Sequence, residues 1–218
     1  PSASGNYYLT GDVSLEKRWE LKDDVVLCLN GHDIVRTTKS SYYSDVIYIR
    51  NKTFRLTDCQ DSGKITHAEG IDGRGVYVYA KTDEHSSFSM YAGAIANNSY
   101  TTNASYAGGG GVCVYEGSFT MYGGSIYGNS VSAEVATYGG AVYAKSASNN
   151  SQKASFTLYA GNIYENSASS GGGVWVGEPS DIKMTGGSII NNNVTGSGGG
   201  VYFKGDTFNV SGNVSITG

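Results

Sequence analysis

The 218-residue sequence carries little charge, few cysteines and no long apolar run. Charged residues make up 16% of it, the net charge is -4, and Lys and Arg are not clustered, which argues against binding to a nucleic-acid backbone. No apolar stretch approaches the length of a membrane-spanning helix. The three cysteines form no CxxC or Cys/His pattern, HExxH is absent, and the glycine runs lack the Lys-Ser/Thr of a phosphate loop. The sequence therefore indicates neither a zinc site nor a nucleotide site.

Glycine, by contrast, is abundant, with 32 residues, and much of it lies in a repeat. The stretch GGGGVCVYEGSFTMYGGSIYGN at residues 108–129 recurs with three apolar anchors in a constant order. The anchor sets are Val76, Phe88 and Ile95; Val112, Phe119 and Ile126; Val142, Phe156 and Ile163; Val174, Ile182 and Ile189; and Val201, Phe208 and Ile216. The second and third anchors are 7 residues apart in four sets and 8 in the last, whereas the other gaps vary. Constant segments are typical of strands and variable segments of loops.

Apolar residues alternate with others inside each constant segment, as in Val112-x-Val114, and this period of two is that of a strand. One unit of three short strands is too small to bury its apolar side, but stacked units bury it together. The pattern predicts an all-β, right-handed parallel β-helix of about seven coils of three short strands. A disordered low-complexity segment is the alternative, which the phase-locked apolar residues argue against. Three residues after each third anchor, an Asn is expected to bond to its copy on the next coil, at Asn98, Asn129, Asn166 and Asn192.

The two ends of the chain are expected to differ from the regular repeats, with a cap at the N-terminus and a β edge at the C-terminus. Residues 1–70 hold most of the charged residues and few glycines, so we expect an N-terminal cap and first irregular coil over 1–44. Residues 45–218 are expected to form one continuous solenoid that is a fragment of a longer chain. Because 201–218 reads as an ordinary coil, its β edge is expected to continue into further chain or to be covered by a partner.

Cys28 and Cys59 lie 31 residues apart, about one coil, in the similar contexts LCLNG and LTDC. They are therefore candidates to lie one above the other, either as a disulfide or as two buried thiols. Cys113 has no such partner in the sequence.

Aromatic residues recur at positions expected to point outwards. The first-strand column reads Tyr77, Cys113, Tyr143, Trp175 and Tyr202. The other two columns read Tyr91, Tyr122, Tyr159 and Thr185 on the second strand, and Tyr127, Tyr164 and Ile190 on the third. Such columns suit a long glycan, although stacked Tyr also stabilises neighbouring strands without any ligand. Long spacers at 79–87, 99–107, 130–138 and 145–155, which carry Tyr100, Tyr106 and Tyr138, are either binding loops or plain solvated loops.

Titratable residues are densest where the irregular coils give way to regular ones. The weak catalytic candidates there are Asp58, Asp61, His67, Glu69 and Asp72. A carboxylate pair could serve a glycosidase or hold calcium for a lyase, but charged residues collect on turns in any case and no motif spacing is present. No catalytic residue, metal or cofactor is therefore assigned, and calcium stays an open alternative.

The segments GGGVYFKG, SFTMYGGSIYGN, DVVLCLNGHDI and GKITHAEGIDGRGVYV resemble repeats of large secreted, wall-attached proteins of anaerobic Gram-positive bacteria. Those repeats form right-handed parallel β-helix regions of the pectate-lyase-like or adhesin-like kind. A related rhythm in polymorphic outer-membrane adhesins has F-x-x-N where this chain has FTMY and FTLY. The resemblance implies a secreted or cell-surface protein, and no catalytic motif carries over residue by residue.

Three functions follow from these observations as expectations. The first is a non-catalytic extracellular adhesin or stalk module that binds a glycan or another host-surface ligand through its outward Tyr/Trp columns and long loops. The second is part of a polysaccharide lyase or glycoside hydrolase, and the third is an inert spacer. Neither nucleic acid nor insertion into a membrane is expected in any of them.

Overall fold

The computed structural model describes residue 1 and residues 3–40, 44–81, 84–102, 107–134, 136–147 and 153–218. Throughout these residues the regular elements are β-strands and no helix occurs. Accordingly, they contain no helix that is long and apolar enough to cross a membrane.

Three parallel sheets, A, B and C, run along the molecule and each receives one strand from each coil. The described strands of sheet A are Gly5–Tyr8, Val25–Cys28, Thr53–Thr57, Ser87–Met90, Ser118–Met121, Ala154–Leu158, Ser180–Met184 and Thr207–Val210. Those of sheet B are Val13–Leu15, Ile34–Arg36, Lys64–His67, Ala94–Ala96, Ser125–Tyr127, Asn162–Tyr164, Ser188–Ile190 and Ser215–Ile216. Those of sheet C are Trp19–Glu20, Ile47–Arg50, Val76–Tyr79, Val112–Tyr115, Val142–Lys145, Val174–Val176 and Val201–Phe203.

This arrangement confirms the all-β parallel β-helix, with a coil number close to the predicted seven. The right-handed winding stays a prediction. Residues 1–44 contribute strands to the same three sheets: Gly5–Tyr8 and Val25–Cys28 to sheet A, Val13–Leu15 and Ile34–Arg36 to sheet B, and Trp19–Glu20 to sheet C.

The core is formed by the repeated anchors, which stack in the predicted register. Phe119, for example, pairs with Phe88 on one neighbouring coil and with Phe156 on the other. All three rings are fully buried, and the Phe88 and Phe119 rings stack with centroids 4.8 Å apart. Because each such ring contributes roughly 2 to 3 kcal/mol by burial, the columns of anchors stabilise the stacked coils. In the last coil the anchors Phe208 and Ile216 are 46% and 40% exposed.

The predicted Asn ladder is present in the interior, where the chain leaves sheet B. Nδ2 of Asn98, Asn129 and Asn166 donates in each case to Oδ1 of the next Asn along the axis, at 2.9 Å. The left-handed backbone falls on the residue before each ladder Asn, as at Asn97 with φ 56°. The ladder thus satisfies buried polar groups at the turn and holds that corner of each coil in place.

A fourth sheet, D, was not predicted and lies between sheets B and C in the middle coils. Its described strands are Ser99–Thr101, Ala107–Gly108, Ser130–Ser132, Thr137–Tyr138, Ser167–Ser170 and Asn193–Ser197. From sheet D the chain folds back sharply through the glycine runs into sheet C. Gly139 and Gly171 begin two of these runs with φ 61° and 63°, and a Cβ on Gly171 would lie 2.5 Å from the Val174 carbonyl oxygen. Only glycine fits such a close approach at positive φ.

Candidate functional site

The outer face of sheet C is largely covered, which corrects the expectation that the first-strand column points into solvent. Cys113, Tyr143 and Trp175 are only 4%, 4% and 7% exposed. Tyr138 of sheet D packs on Trp175 with ring centroids 4.8 Å apart. Tyr77 and Tyr202 are half-buried against the same cluster. The column points away from the main core as predicted, but the expected exposure to solvent was wrong for its middle members, because the chain that precedes each sheet C strand folds back over them.

Burial also changes the chemistry of this cluster. It raises the pKa of the Tyr77 and Tyr143 hydroxyls well above the ordinary value. Burial likewise raises the pKa of the Cys113 thiol to about 11. These groups are therefore neutral at physiological pH, and the cluster acts as a second small core outside the main one.

The second-strand column, in contrast, is exposed as predicted. Tyr91, Tyr122 and Tyr159, here called the tyrosine ridge, are 45%, 43% and 40% exposed. Their rings stack with centroids 4.7 and 5.0 Å apart and planes within 8° and 4° of parallel. Because neighbouring rings cover each other's faces, a ligand meets mainly ring edges and hydroxyl groups.

Next to the tyrosine ridge, the outer face of sheet A carries a regular set of small hydroxyl side chains. This hydroxyl array consists of Ser87, Ser89, Ser118, Thr120, Ser155 and Thr157. The six lie in two rows in strict register, Ser87 with Ser118 and Ser155, and Ser89 with Thr120 and Thr157. Coils lie about 4.8 Å apart and alternate residues of a strand about 6.7 Å apart, so the array has a nearly rectangular spacing.

The array arises because the residues between these hydroxyls point into the core, as Phe119 and Met121 do on the central coil. Within the part of the chain that the structure describes, the Ser87 hydroxyl is the only one of the six with a hydrogen-bond partner. That partner is Thr53 Oγ1, at 3.3 Å. The other five hydroxyls remain available to a ligand or to water.

A polar trough of about 240 Å³ borders the array at the corner between sheets C and A. Its walls include Glu84, His85 and Lys153, and its floor includes Ser118 and Ser155. Glu84 also pairs with Arg50, with Oε2 and Nε 3.3 Å apart, which fixes one wall. Sheet A therefore offers trough, hydroxyl array and tyrosine ridge side by side on one open face.

The weak catalytic candidates are not brought together on that face. Asp58 is buried and accepts hydrogen bonds from the backbone N–H groups of Gly31 and Gly63, each at 2.7 Å. Burial alone raises the pKa of the Asp58 carboxyl, but these backbone hydrogen bonds outweigh burial and hold that pKa below its ordinary value. Asp58 thus braces two turns of adjacent coils.

The other four candidates have separate surroundings. His67 lies at the far end of the sheet B strand that Asp58 helps to begin, buried against Asn98 and Ser44. Asp61 and Glu69 are exposed on turns, and Asp72 Oδ2 accepts from the Thr101 N–H at 3.3 Å. Within the ranges that the structure describes, no group of three or more His, Cys, Asp or Glu side chains is placed to hold a metal ion.

Cys28 and Cys59 lie on adjacent coils with their Sγ atoms 2.7 Å apart, although the residue in register with Cys28 is Thr57. Whether they are bonded stays a prediction. The long spacers are described only in part, and Tyr106 lies outside the described residues. Of their other aromatic residues, Tyr100 stacks on the Arg74 guanidinium at 3.8 Å and Tyr138 packs on Trp175.

Sequence reasoning missed the hydroxyl array, although the S/T-F-S/T pattern of 87–89, 118–120 and 155–157 was there to signal it. No family model, no curated protein and no solved structure matches the chain.

Proposed function

We propose that this chain is a non-catalytic, secreted or cell-surface module, a rigid β-helical stalk that binds a polysaccharide along the outer face of sheet A. The observation that carries the proposal is the hydroxyl array, whose side chains are in register over three coils and largely free of internal partners. A preorganised surface of this kind loses little conformational entropy when a ligand binds.

The chemistry of the face suits a carbohydrate better than a flat apolar ligand. Ser and Thr hydroxyls both donate and accept hydrogen bonds, as sugar hydroxyls do. The tyrosine ridge adds ring edges and phenol groups along one side. Along the other side the polar trough adds the Glu84 carboxylate and the Lys153 ammonium group, which pair with Arg50 and Asp206. Because each hydrogen bond contributes only about 0.5 to 1.5 kcal/mol net, several coils must act together, which favours a polymer over a single sugar.

Charge at the two ends of the array bears on which polysaccharide fits. Arg55 stands in register with Ser89 at one end of the second row, and Lys183 with Thr157 at the other. These two cations favour carboxylate or sulfate groups, such as those of a polyuronate, along the second row, while the Asp181 carboxylate stands in register with Ser155 at the end of the first row.

Binding to a broad array of neutral and acidic glycans tests the proposal. The double variant Thr120→Val and Thr157→Val removes two hydroxyls of the array while keeping the size of both side chains. Loss of two hydrogen bonds is expected to weaken binding about tenfold. Thr195→Val is the matched control, because Thr195 is an exposed residue of a sheet D strand, on another outer face.

The proposal predicts saturable binding of at least one polysaccharide that the double variant weakens and the Thr195→Val variant keeps. Absence of binding to every glycan would contradict it. Equal affinities for the wild type and the double variant would show that the ligand occupies another face.

A further inference from the structure

The two cysteines at the edge of sheet A occupy a site where neighbouring coils meet. Cys28 ends its sheet A strand and pairs in register with Thr57 on the next coil. Cys59 follows two residues later on that coil, and its Sγ atom lies 2.7 Å from Cys28 Sγ. A disulfide bond measures about 2.04 Å, so a small side-chain rotation brings the sulfurs from contact to bonding distance.

Accessibility separates this pair from the remaining cysteine. Cys59 is exposed and Cys28 is partly exposed, so a dissolved oxidant reaches the pair. Cys113 is buried in the cluster under sheet D. The two thiols also lie beside Asp58, whose hydrogen bonds to the N–H groups of Gly31 and Gly63 hold the two coils in place. The pair is thus both reachable and positioned, whereas Cys113 is neither.

We propose that Cys28 and Cys59 form an oxidation site, at which a disulfide links two adjacent coils of the β-helix. With a small-molecule disulfide as the oxidant, the Cys59 thiolate attacks one sulfur of the oxidant and releases one small thiol. The Cys28 thiolate then attacks Cys59 Sγ in the mixed disulfide and releases the second small thiol. Two protein thiols are oxidised, one oxidant disulfide is reduced to two thiols, and the two protons of the cysteines end on them.

The bond would join the irregular N-terminal coils to the regular part of the solenoid covalently. It closes a loop of about thirty residues, and a loop of that length is expected to raise the Tm by about 7 to 15 °C for a chain of this size. The hydrogen bond shared with Cys28, desolvation and the nearby carboxylates of Asp58 and Asp61 raise the pKa of the Cys59 thiol. Oxidation is therefore expected to accelerate as the pH rises.

The test counts free thiols in the full 218-residue chain. Protein is incubated either with oxidised glutathione or with a phosphine reductant, then unfolded, alkylated and weighed as intact protein. The expected result is one alkylated cysteine after oxidation, Cys113, and three after reduction. A peptide map of the oxidised chain should contain a single linked pair, Cys28 with Cys59.

Two variants keep the result interpretable. Cys59→Ser is expected to leave two alkylatable cysteines and a Tm that oxidant does not raise. Cys113→Ser is expected to form the bond as the wild type does. Three free thiols in the oxidised wild type, a disulfide between two chains, or stable glutathione adducts without the internal bond would each overturn the proposal. The outcome does not depend on whether a polysaccharide binds.

Discussion

Sheets A and C both carry a column of aromatic residues on their outer sides, and the two columns have opposite surroundings. Tyr122 in the ridge of sheet A is 43% exposed, whereas Tyr143 and Trp175 on sheet C are 4% and 7% exposed. Both columns follow the same alternation along their strands, so the alternation alone does not separate them. What separates them is the connecting chain.

Between sheets A and B the connection is a short turn, so the outer face of sheet A stays open. Between sheets B and C the chain first forms sheet D and then folds back through glycines onto sheet C. In a solenoid, therefore, a residue that points away from the core faces solvent only where no connection lies over it. Sheet A has the short connection on the side of sheet B, and its outer tyrosines are exposed, so function is to be sought on that face.

Truncation of one aromatic residue on each face gives the largest predicted contrast. Trp175→Ala is expected to lower the free energy of unfolding by about 4 kcal/mol, because it leaves a cavity under sheet D. Tyr122→Ala is expected to cost about 1 kcal/mol or less, since the ring is half-exposed and loses mainly stacking. Urea denaturation measures both, and equal losses would contradict the assigned burial.

The Asn ladder fixes the point at which the chain leaves sheet B for sheet D. Asn129 donates to the Ile95 carbonyl and to Asn166, and its Oδ1 accepts from Asn98. Asn129→Ala leaves several buried polar groups unpaired and is expected to cost about 3 kcal/mol. Asn162→Ala, at an exposed position of sheet B, should cost about 0.5 kcal/mol in the same denaturation measurement. If Asn129→Ala lowered the free energy of unfolding as little as Asn162→Ala does, the ladder would not stabilise the fold.

The glycine fold-back is predicted to be the next most sensitive feature. Gly171→Ala places a Cβ at φ 63° and 2.5 Å from the Val174 carbonyl oxygen, and is expected to cost about 2 kcal/mol. Gly11→Ala is the control, because a Cβ there meets nothing within 4 Å, and its cost should stay within about 0.5 kcal/mol. Thermal unfolding of both variants provides the comparison. An unchanged Tm for Gly171→Ala would show that the chain between sheets D and C does not pack closely on sheet C at this position.

The smallest predicted effect is the pH dependence of stability that His67 causes. His67 lies at the N-terminal end of the Asn ladder, next to Asn98. Its Nδ1 lies 2.7 Å from Asn98 Oδ1 and its Nε2 2.8 Å from the Ser44 carbonyl oxygen. Burial lowers the pKa of His67; the two oxygen acceptors and the Asp45 carboxylate oppose that effect, and the Arg36 guanidinium adds to it. Burial is the largest of these effects, so the folded chain holds the neutral imidazole more strongly than the unfolded chain does.

The folded-state pKa of His67 is lowered relative to the pKa of about 6.5 in the unfolded chain. The contribution of His67 to the free energy of unfolding is therefore fully present above pH 6.5 and is lost as the pH falls below that value. The predicted loss approaches at most about 1.4 kcal/mol per pH unit between pH 6.5 and 5.5. Denaturation of the wild type and of His67→Gln across this range measures it. The variant should be less stable at pH 7.5 but should lack the slope, and an equal slope in both proteins would assign it to other groups.

The sequence predicted the interior well and the exterior poorly, for a physical reason. The anchors Val112, Phe119 and Ile126 stack as expected because apolar residues can be buried only in one phase of each strand. Sheet D escaped prediction because strands such as Ser167–Ser170 are short and built of small residues, without an apolar alternation. The burial of Trp175 could not be predicted without sheet D, because the sequence of the sheet C strands does not show what packs on them.

Hydroxyl-radical footprinting of the free chain and of its complex with a bound polysaccharide distinguishes the open face of sheet A from the covered face of sheet C. We expect Tyr91, Tyr122 and Tyr159 to be oxidised in the free chain while Tyr143 and Trp175 are protected. The polysaccharide is expected to lower oxidation of the three ridge tyrosines alone. Rapid oxidation of Trp175 in the free chain, or protection by the ligand on sheet B or sheet D in place of the ridge, would contradict these expectations.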